Sequence, residues 1–171
     1  DVVNSYSREK LKDMIKRYGE EPKAGLAASA IVRERPITTT AQLAKVVAGA
    51  VKYSAGKIHP ATRVFQALRI EVNNELEQLR RALPLFVKLL GPGGRIAVIS
   101  FHSLEDRIVK QFIETESKDC ICPPQQPICT CRHKASLKKL TKGAIQGKIN
   151  DTNNPRARSA KLRAARKNKQ K

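Results

Sequence analysis

The stretch Gly91-Pro92-Gly93-Gly94-Arg95-Ile96-Ala97-Val98-Ile99-Ser100-Phe101-His102-Ser103-Leu104-Glu105-Asp106-Arg107-Ile108-Val109 decides the fold class. Its Gly-Pro-Gly-Gly opening is a turn. Residues 95–101 are a short, β-rich apolar run, as expected for a strand covered on both faces. A helix follows. Ser103 is its expected N-cap, and Glu105 and Asp106 sit in the first turn, where the helix dipole favours acids. Turn, buried strand, loop and helix make an α/β unit. In open α/β sheets, the loops after the carboxyl ends of strands build the ligand site. Ser100, His102 and Ser103 are therefore candidate site residues, with Asp106 beside them. The plainer roles are capping for Glu105 and Asp106, and a structural hydrogen bond for His102.

Upstream of this unit the pattern is helical. Asn73 or Asn74 starts a stretch through Leu76, Leu79, Leu83, Phe86, Val87 and Leu90, which Pro84 should kink or restart. The preceding block is His59-Pro60-Ala61-Thr62-Arg63-Val64-Phe65-Gln66-Ala67-Leu68-Arg69-Ile70-Glu71-Val72-Asn73. Pro60 suits a first helical turn. Val64, Phe65, Leu68 and Val72 fall on one side of that helix. Arg63, Gln66, Arg69 and Asn73 form a stripe on another. The stripe reads either as a hydrogen-bonding surface for a substrate or as a solvated face with ion pairs to Glu71 or Glu75.

Residues 1–55 read as three short helices. Ser7 caps the first, which buries Leu11, Met14, Ile15 and Tyr18 and is stopped by Gly19. The second covers about 21–34, with Leu26, Ala27, Ala30 and Ile31 inward, and Pro36 follows as a breaker. Thr38-Thr39-Thr40 caps the third, which turns Leu43, Val46, Val47 and Ala50 inward.

Downstream lie all four cysteines, Cys120-Ile121-Cys122 and Cys129-Thr130-Cys131, with His133 close behind. Pro123, Pro124 and Pro127 stiffen the loop between the pairs. Four thiolates on one loop can close a tetrahedral zinc site, although C-x-C is tighter than the usual C-x2–4-C spacing. Reduced thiols and a pair of disulfides are the alternatives. Beyond the loop, 137–142 and 158–163 read as two cation-rich edge strands, and Asn154-Pro155-Arg156-Ala157-Arg158-Ser159 as the turn into the second.

The chain has 171 residues, 34 Lys and Arg against 15 Asp and Glu, and a net charge of +19. Fourteen of those cations fall between 132 and 171, where Asp151 is the sole acid. An excess of this size argues for a polyanionic partner, most often nucleic acid. Aromatic residues are 4% of the chain and Trp is absent, which argues against an aromatic base-stacking sheet. No run of eighteen apolar residues is present, so no spanning helix and no membrane role are expected. The residues from about 164 onward read as a basic tail.

Four blocks in this order resemble the bacterial MraW/RsmH family of ribosomal RNA methyltransferases. They are Tyr18-Gly19-Glu20-Glu21, the 59–70 block HPATRVFQALRI, the 93–107 block GGRIAVISFHSLEDR, and the 154–163 block NPRARSAKLR. The paired C-x-C around prolines also looks like a variant found in part of that family.

The resemblance implies an α/β fold: the C-terminal part of a Rossmann-like class I methyltransferase domain, supplying its last strands, plus a small all-helical insertion domain. Residues 1–55 would be that substrate-recognition insertion and 56–171 the return to the catalytic domain, with the Cys-rich loop at 120–133. The implied activity is transfer of a methyl group from S-adenosylmethionine to the N4 amine of a cytidine in small-subunit ribosomal RNA, in the cytoplasm. The family's Gly-rich donor loop has no counterpart in these 171 residues. The expectation is therefore of a C-terminal portion that lacks most of the donor pocket and is inactive alone. On this reading the main catalytic and donor contacts lie upstream of Asp1. Arg63, Gln66, Arg69, Asn73, Ser100, His102, Ser103, Arg156 and Arg158 are candidates for gripping RNA, and Cys120, Cys122, Cys129 and Cys131 for a structural zinc ion. Two other classes stay open: a non-enzymatic RNA-binding or ribosome-associated protein, and a zinc-stabilised interaction module.

Overall fold

Helical periodicity dominates the first half of the chain, and the fold follows it. The computed structural model describes residues 1–51, 59–126, 128–147 and 155–169, the last without the side chains of 155 and 156. It is a mixed α/β structure of two compact units, Asp1–Glu75 and Leu76–Lys171. The boundary expected near residue 55 falls among 52–58, outside the described residues. The helix after that gap groups with the first unit. No helix among the described residues is long and apolar enough to cross a membrane.

The first unit holds α1 (Val2–Ser5), α2 (Arg8–Gly19), α3 (Ala24–Arg33), α4 (Thr40–Ala50) and α5 (Thr62–Asn73). Ser7 caps α2 by accepting from Lys10 N, and Thr39 caps α4 by accepting from Gln42 N. Leu11, Met14, Ile15, Ala27, Ile31, Val47, Val64 and Ala67 form one buried cluster. The small α1 goes beyond the three expected helices. Asn4 fixes it by exchanging two hydrogen bonds with the backbone of Ile37, at 2.8 and 2.9 Å.

Two apolar residues depart from the expected faces. Leu26 on α3 and Val72 on α5 are exposed, and Ala67 and Ile70 take the inward places on α5. The difference is a rotation of the buried stripe: small Ala residues let α2 and α3 approach, so Leu26 has no room inside.

Gly19 also behaves differently from its reading as a helix stop. It is the last residue of α2, and the left-handed residue beyond it is Glu20, at φ 49°. A Cβ on Gly19 would lie 2.5 Å from the carbonyl oxygen of Arg63 and 3.5 Å from Cβ of Ala67. The glycine is there so that α5 can cross α2 backbone against backbone.

The second unit runs from α6 (Glu75–Leu89, whose first residue closes unit one) through β1 (Arg95–Ser100), α7 (Ser103–Glu116), β2 (Leu137–Lys139) and β3 (Ile145–Gln146) to β4 (Lys161–Lys167). A short 3₁₀ turn over Pro155–Ser159 leads into β4. Pro84 sits inside α6 without ending it. β4 is antiparallel to β1 on one edge and to β2 and β3 on the other, so the order is β1-β4-β2 with β3 beside β4.

This overturns two expectations. The 158–163 strand is not an edge strand, and 164–167 is not a tail. Residues 158 and 159 close the 3₁₀ turn instead, and Lys161–Lys167 is the central strand, where Ala165 is fully buried and opposes Ile96 and Lys139. β1 is also not covered on both faces. Its exposure alternates, and Ile99 is 59% exposed.

The glycine turn is tied to the far end of β4 by Lys167 N donating to Gly94 O at 2.7 Å. In return, Gly93 N donates to Lys167 O at 3.1 Å. The Lys167 ammonium donates to Leu90 O at 2.6 Å, satisfying a carbonyl left open at the end of α6.

Candidate functional site

The carboxyl end of β1 and the first turn of α7 meet as expected, but their side chains are committed to the fold. Ser100 is buried at the end of β1, opposite Lys161. His102, not Ser103, is the N-cap of α7. Its Nδ1 accepts from Glu105 N at 3.4 Å, while Glu105 Oε2 accepts from His102 N at 3.4 Å and from Phe101 N at 2.9 Å. This is a capping box with histidine in the place of serine. Ser103 is the first residue of the helix itself.

Asp106, one residue on, reaches across to β4. Arg163 Nε and Nη2 donate to its two carboxylate oxygens at 2.6 and 3.1 Å, and the Lys161 ammonium stands 3.6 Å away. Both members of the Arg–carboxylate fork are largely buried, at 16% and 12% side-chain exposure. The Arg163 hydrogen bonds hold the Asp106 carboxyl below the usual carboxylate range, and they raise the guanidinium in turn.

The stripe on α5 is likewise bound up with its own unit. Gln66 donates to Tyr18 O at 2.9 Å, at the end of α2. Arg69 makes a two-pronged pair with Glu75 at 2.9 and 3.1 Å, and Asn73 donates to the same carboxylate at 3.1 Å. Arg63 lies 3.6 Å from Glu21, whose carboxylate is fully buried and also accepts from Lys23 N at 2.8 Å. Sequence reasoning passes over Glu21 as a site of buried charge. Its one signal is an acid two residues past a helix end. Arg63 and Arg69 remain about half exposed. Arg158 is exposed on the 3₁₀ turn, and the side chain of Arg156 lies outside the described residues.

A cationic feature emerges only from strand register. Arg95 opposes Arg166 across β1 and β4, and Arg166 opposes Lys138 across β4 and β2. All three are exposed. They form a row of three positive charges across adjacent strands on one face. Like charges placed directly opposite each other in a sheet are destabilising, so the row stores repulsion that an anion relieves.

The cysteines form the tightest cluster of soft donors among the described residues. The four Sγ atoms all lie within 4.8 Å of one another. Three of the six separations are 3.6 Å for Cys129–Cys131, 3.8 Å for Cys131–Cys120 and 4.0 Å for Cys122–Cys129. Backbone N–H groups of Ile121 and His133 both donate to the Cys131 sulfur at 3.5 Å, and these bonds bring its thiol down to about 6. Cys120 accepts from Cys122 N, which favours its thiolate. Its thiol neighbours Cys129, Cys122 and Cys131 outweigh that and push it up to about 12.

Residues 1–168 match the MraW methylase family. The chain belongs to that family. A protein of Thermomicrobium roseum named ribosomal RNA small subunit methyltransferase H is 52% identical over 168 residues, covering 96% of this chain and 52% of that protein. One of the same name from Dehalococcoides mccartyi is 52% identical over 166 residues, covering 96% and 48%. Another, from Lawsonia intracellularis, is 48% identical over 174 residues, covering 98% and 56%. The chain thus spans about half the length of these relatives. In this MraW methylase family member, the blocks that carry the resemblance lie at the α2–α5 crossing, the β1–α7 cap and the start of β4.

Proposed function

We propose that this chain serves an S-adenosylmethionine-dependent methyltransferase that modifies the N4 amine of a cytidine in small-subunit ribosomal RNA. The match to the MraW methylase family over 1–168 carries the reading. The donor supplies a methyl group already activated by a sulfonium, so positioning of the target dominates the chemistry. His102 and Asp106, the groups at the β1 end suited to hold a small ligand, are tied into the cap and the Arg163 pair. No donor contact is assigned to them. β1 at the sheet edge and the exposed Phe86, Leu89 and Ile99 fit a Rossmann-like sheet that continues into the rest of such an enzyme.

The work of these residues is then to hold RNA. A cytosine amine is a poor nucleophile inside a stacked helix, and the base has to be turned out to react. That requires a firm grip on the flanking backbone. Arg95, Lys138 and Arg166 form a fixed phosphate-binding row, and Arg63 and Arg158 add exposed guanidiniums. Gln66, Arg69 and Asn73 hold α5 in place so that Arg63 is presented from a rigid helix.

Binding to small-subunit RNA should weaken steeply with salt. Lys138→Gln with Arg166→Gln should reduce the log–log salt slope by about 1–2, near one for each phosphate that is no longer neutralised. An unchanged slope in the folded double variant would remove the row from the RNA surface. The reaction itself is tested by the N4 methyl group in cells that lack the chain.

A further inference from the structure

We propose that Cys120, Cys122, Cys129 and Cys131 bind one zinc ion through their four sulfurs, and that this ion fastens the connection between α7 and β2. Zinc–thiolate bonds of about 2.3 Å in a tetrahedron place the sulfurs about 3.8 Å apart. Three of the six separations, 3.6, 3.8 and 4.0 Å, bracket that value, and the other three are within 4.8 Å. They are nearly twice the roughly 2.05 Å of a disulfide bond. The cluster therefore has the radius of a zinc cage, not the spacing of two oxidised pairs.

Three further features favour a metal. The first is the chemistry of the donor set: four thiolates select zinc or iron over hard cations such as magnesium and calcium. The second is the shell around the sulfurs. Backbone N–H groups of Ile121, Cys122 and His133 point at sulfur atoms, the outer-shell arrangement that orients thiolate ligands and spreads their charge.

The third is need. Between α7 and β2 lie twenty residues, 117–136, without helix or strand among the described ones. A loop of that length in a compact unit calls for a staple. Its ends are drawn together by His133 Nδ1 and Lys118 O at 2.8 Å and by Ala135 N donating to Asp119 at 3.1 Å. At its tip, Gln126 bonds within the loop, to Pro123 O and to the Thr130 hydroxyl. On binding, the thiols release their protons and the centre carries two net negative charges. Exposed Lys118, Arg132 and Lys134 stand on the same loop to balance it.

The test is metal analysis of the protein purified under reducing conditions without chelator, together with cobalt titration of the metal-stripped protein. The expected result is about one zinc per chain, as for a closed four-thiolate site. Cobalt should give the intense visible bands of a tetrahedral tetrathiolate site, saturating at one equivalent and displaced by zinc. Cys120→Ser with Cys129→Ser should abolish both signals while the far-ultraviolet spectrum is kept. If that variant does not fold, the cobalt spectrum of the unaltered protein decides alone. Four freely reactive thiols with no metal taken up, a bound iron in place of zinc, or cobalt bands of a site with fewer sulfurs would overturn the assignment.

Discussion

Asp106→Ala should destabilise the protein by about 3–5 kcal/mol, the range for breaking a buried ion pair from one side. The carboxylate lies between α7 and β4, where it takes both prongs of Arg163 and faces Lys161. Its removal leaves a largely buried guanidinium beside an ammonium, with only the longer-range charge of Glu114 acting on the guanidinium. The loss should appear as a lower urea midpoint at unchanged slope. Asp106→Leu combined with Arg163→Met should recover most of it, because no charge is then left buried alone.

The effect also has a defined pH dependence. The folded carboxyl titrates below its unfolded value of about 3.9. Its contribution is therefore complete above that value and is lost as the pH falls through the folded pKa. The stability gap between wild type and Asp106→Ala should be flat near neutrality and close in acid. A gap that persisted unchanged in acid would show that packing, not the ion pair, is responsible.

Gly19→Ala should cost about 1–3 kcal/mol, although alanine is the better helix former. The added methyl would meet a backbone carbonyl, that of Arg63 at 2.5 Å, which cannot swing aside as a side chain could. Glu20→Gly should do the reverse and stabilise by up to about 1 kcal/mol, since Glu20 is the residue held in the left-handed region. Thermal unfolding of the two variants checks both signs. If Gly19→Ala were neutral, the close crossing of α2 and α5 would be wrong.

That pair of glycine and glutamate shows where sequence reading stops. The caps at Ser7 and Thr39, the helix starting near Asn74 and the strand at 95–100 are all legible, because each rests on local chemistry. Gly19 reads as a helix stop because glycine after a periodic run usually is one. Its true reason is a neighbour more than forty positions away. Propensity assigns the cap of α7 to Ser103. His102 takes it instead, because Glu105 lies three residues beyond it and can answer in the reciprocal box.

The end of the chain misleads for a physical reason as well. Lys161–Lys167 carries four cations in seven residues, a composition that looks like solvent-exposed edge or tail. It is the central strand because the charged ends of Lys161, Arg163 and Lys167 are spent on Asp106 and Leu90 O. The remaining one, Arg166, lies on the open face. The row it makes with Arg95 and Lys138 is invisible in sequence, since register alone brings them together. The cysteine cluster is legible as four thiols on one loop, but the tight C-x-C spacing leaves its geometry open.

The reaction is tested most directly on the ribosomal RNA itself. The reading frame that encodes these residues is disrupted in its host. Small-subunit RNA is then digested to nucleosides and oligonucleotides and read by mass spectrometry. One cytidine should lose a single methyl group from N4, and restoring the intact frame should return it. A complete complement of N4-methylated cytidine in the disrupted cells would contradict the proposed methyl transfer.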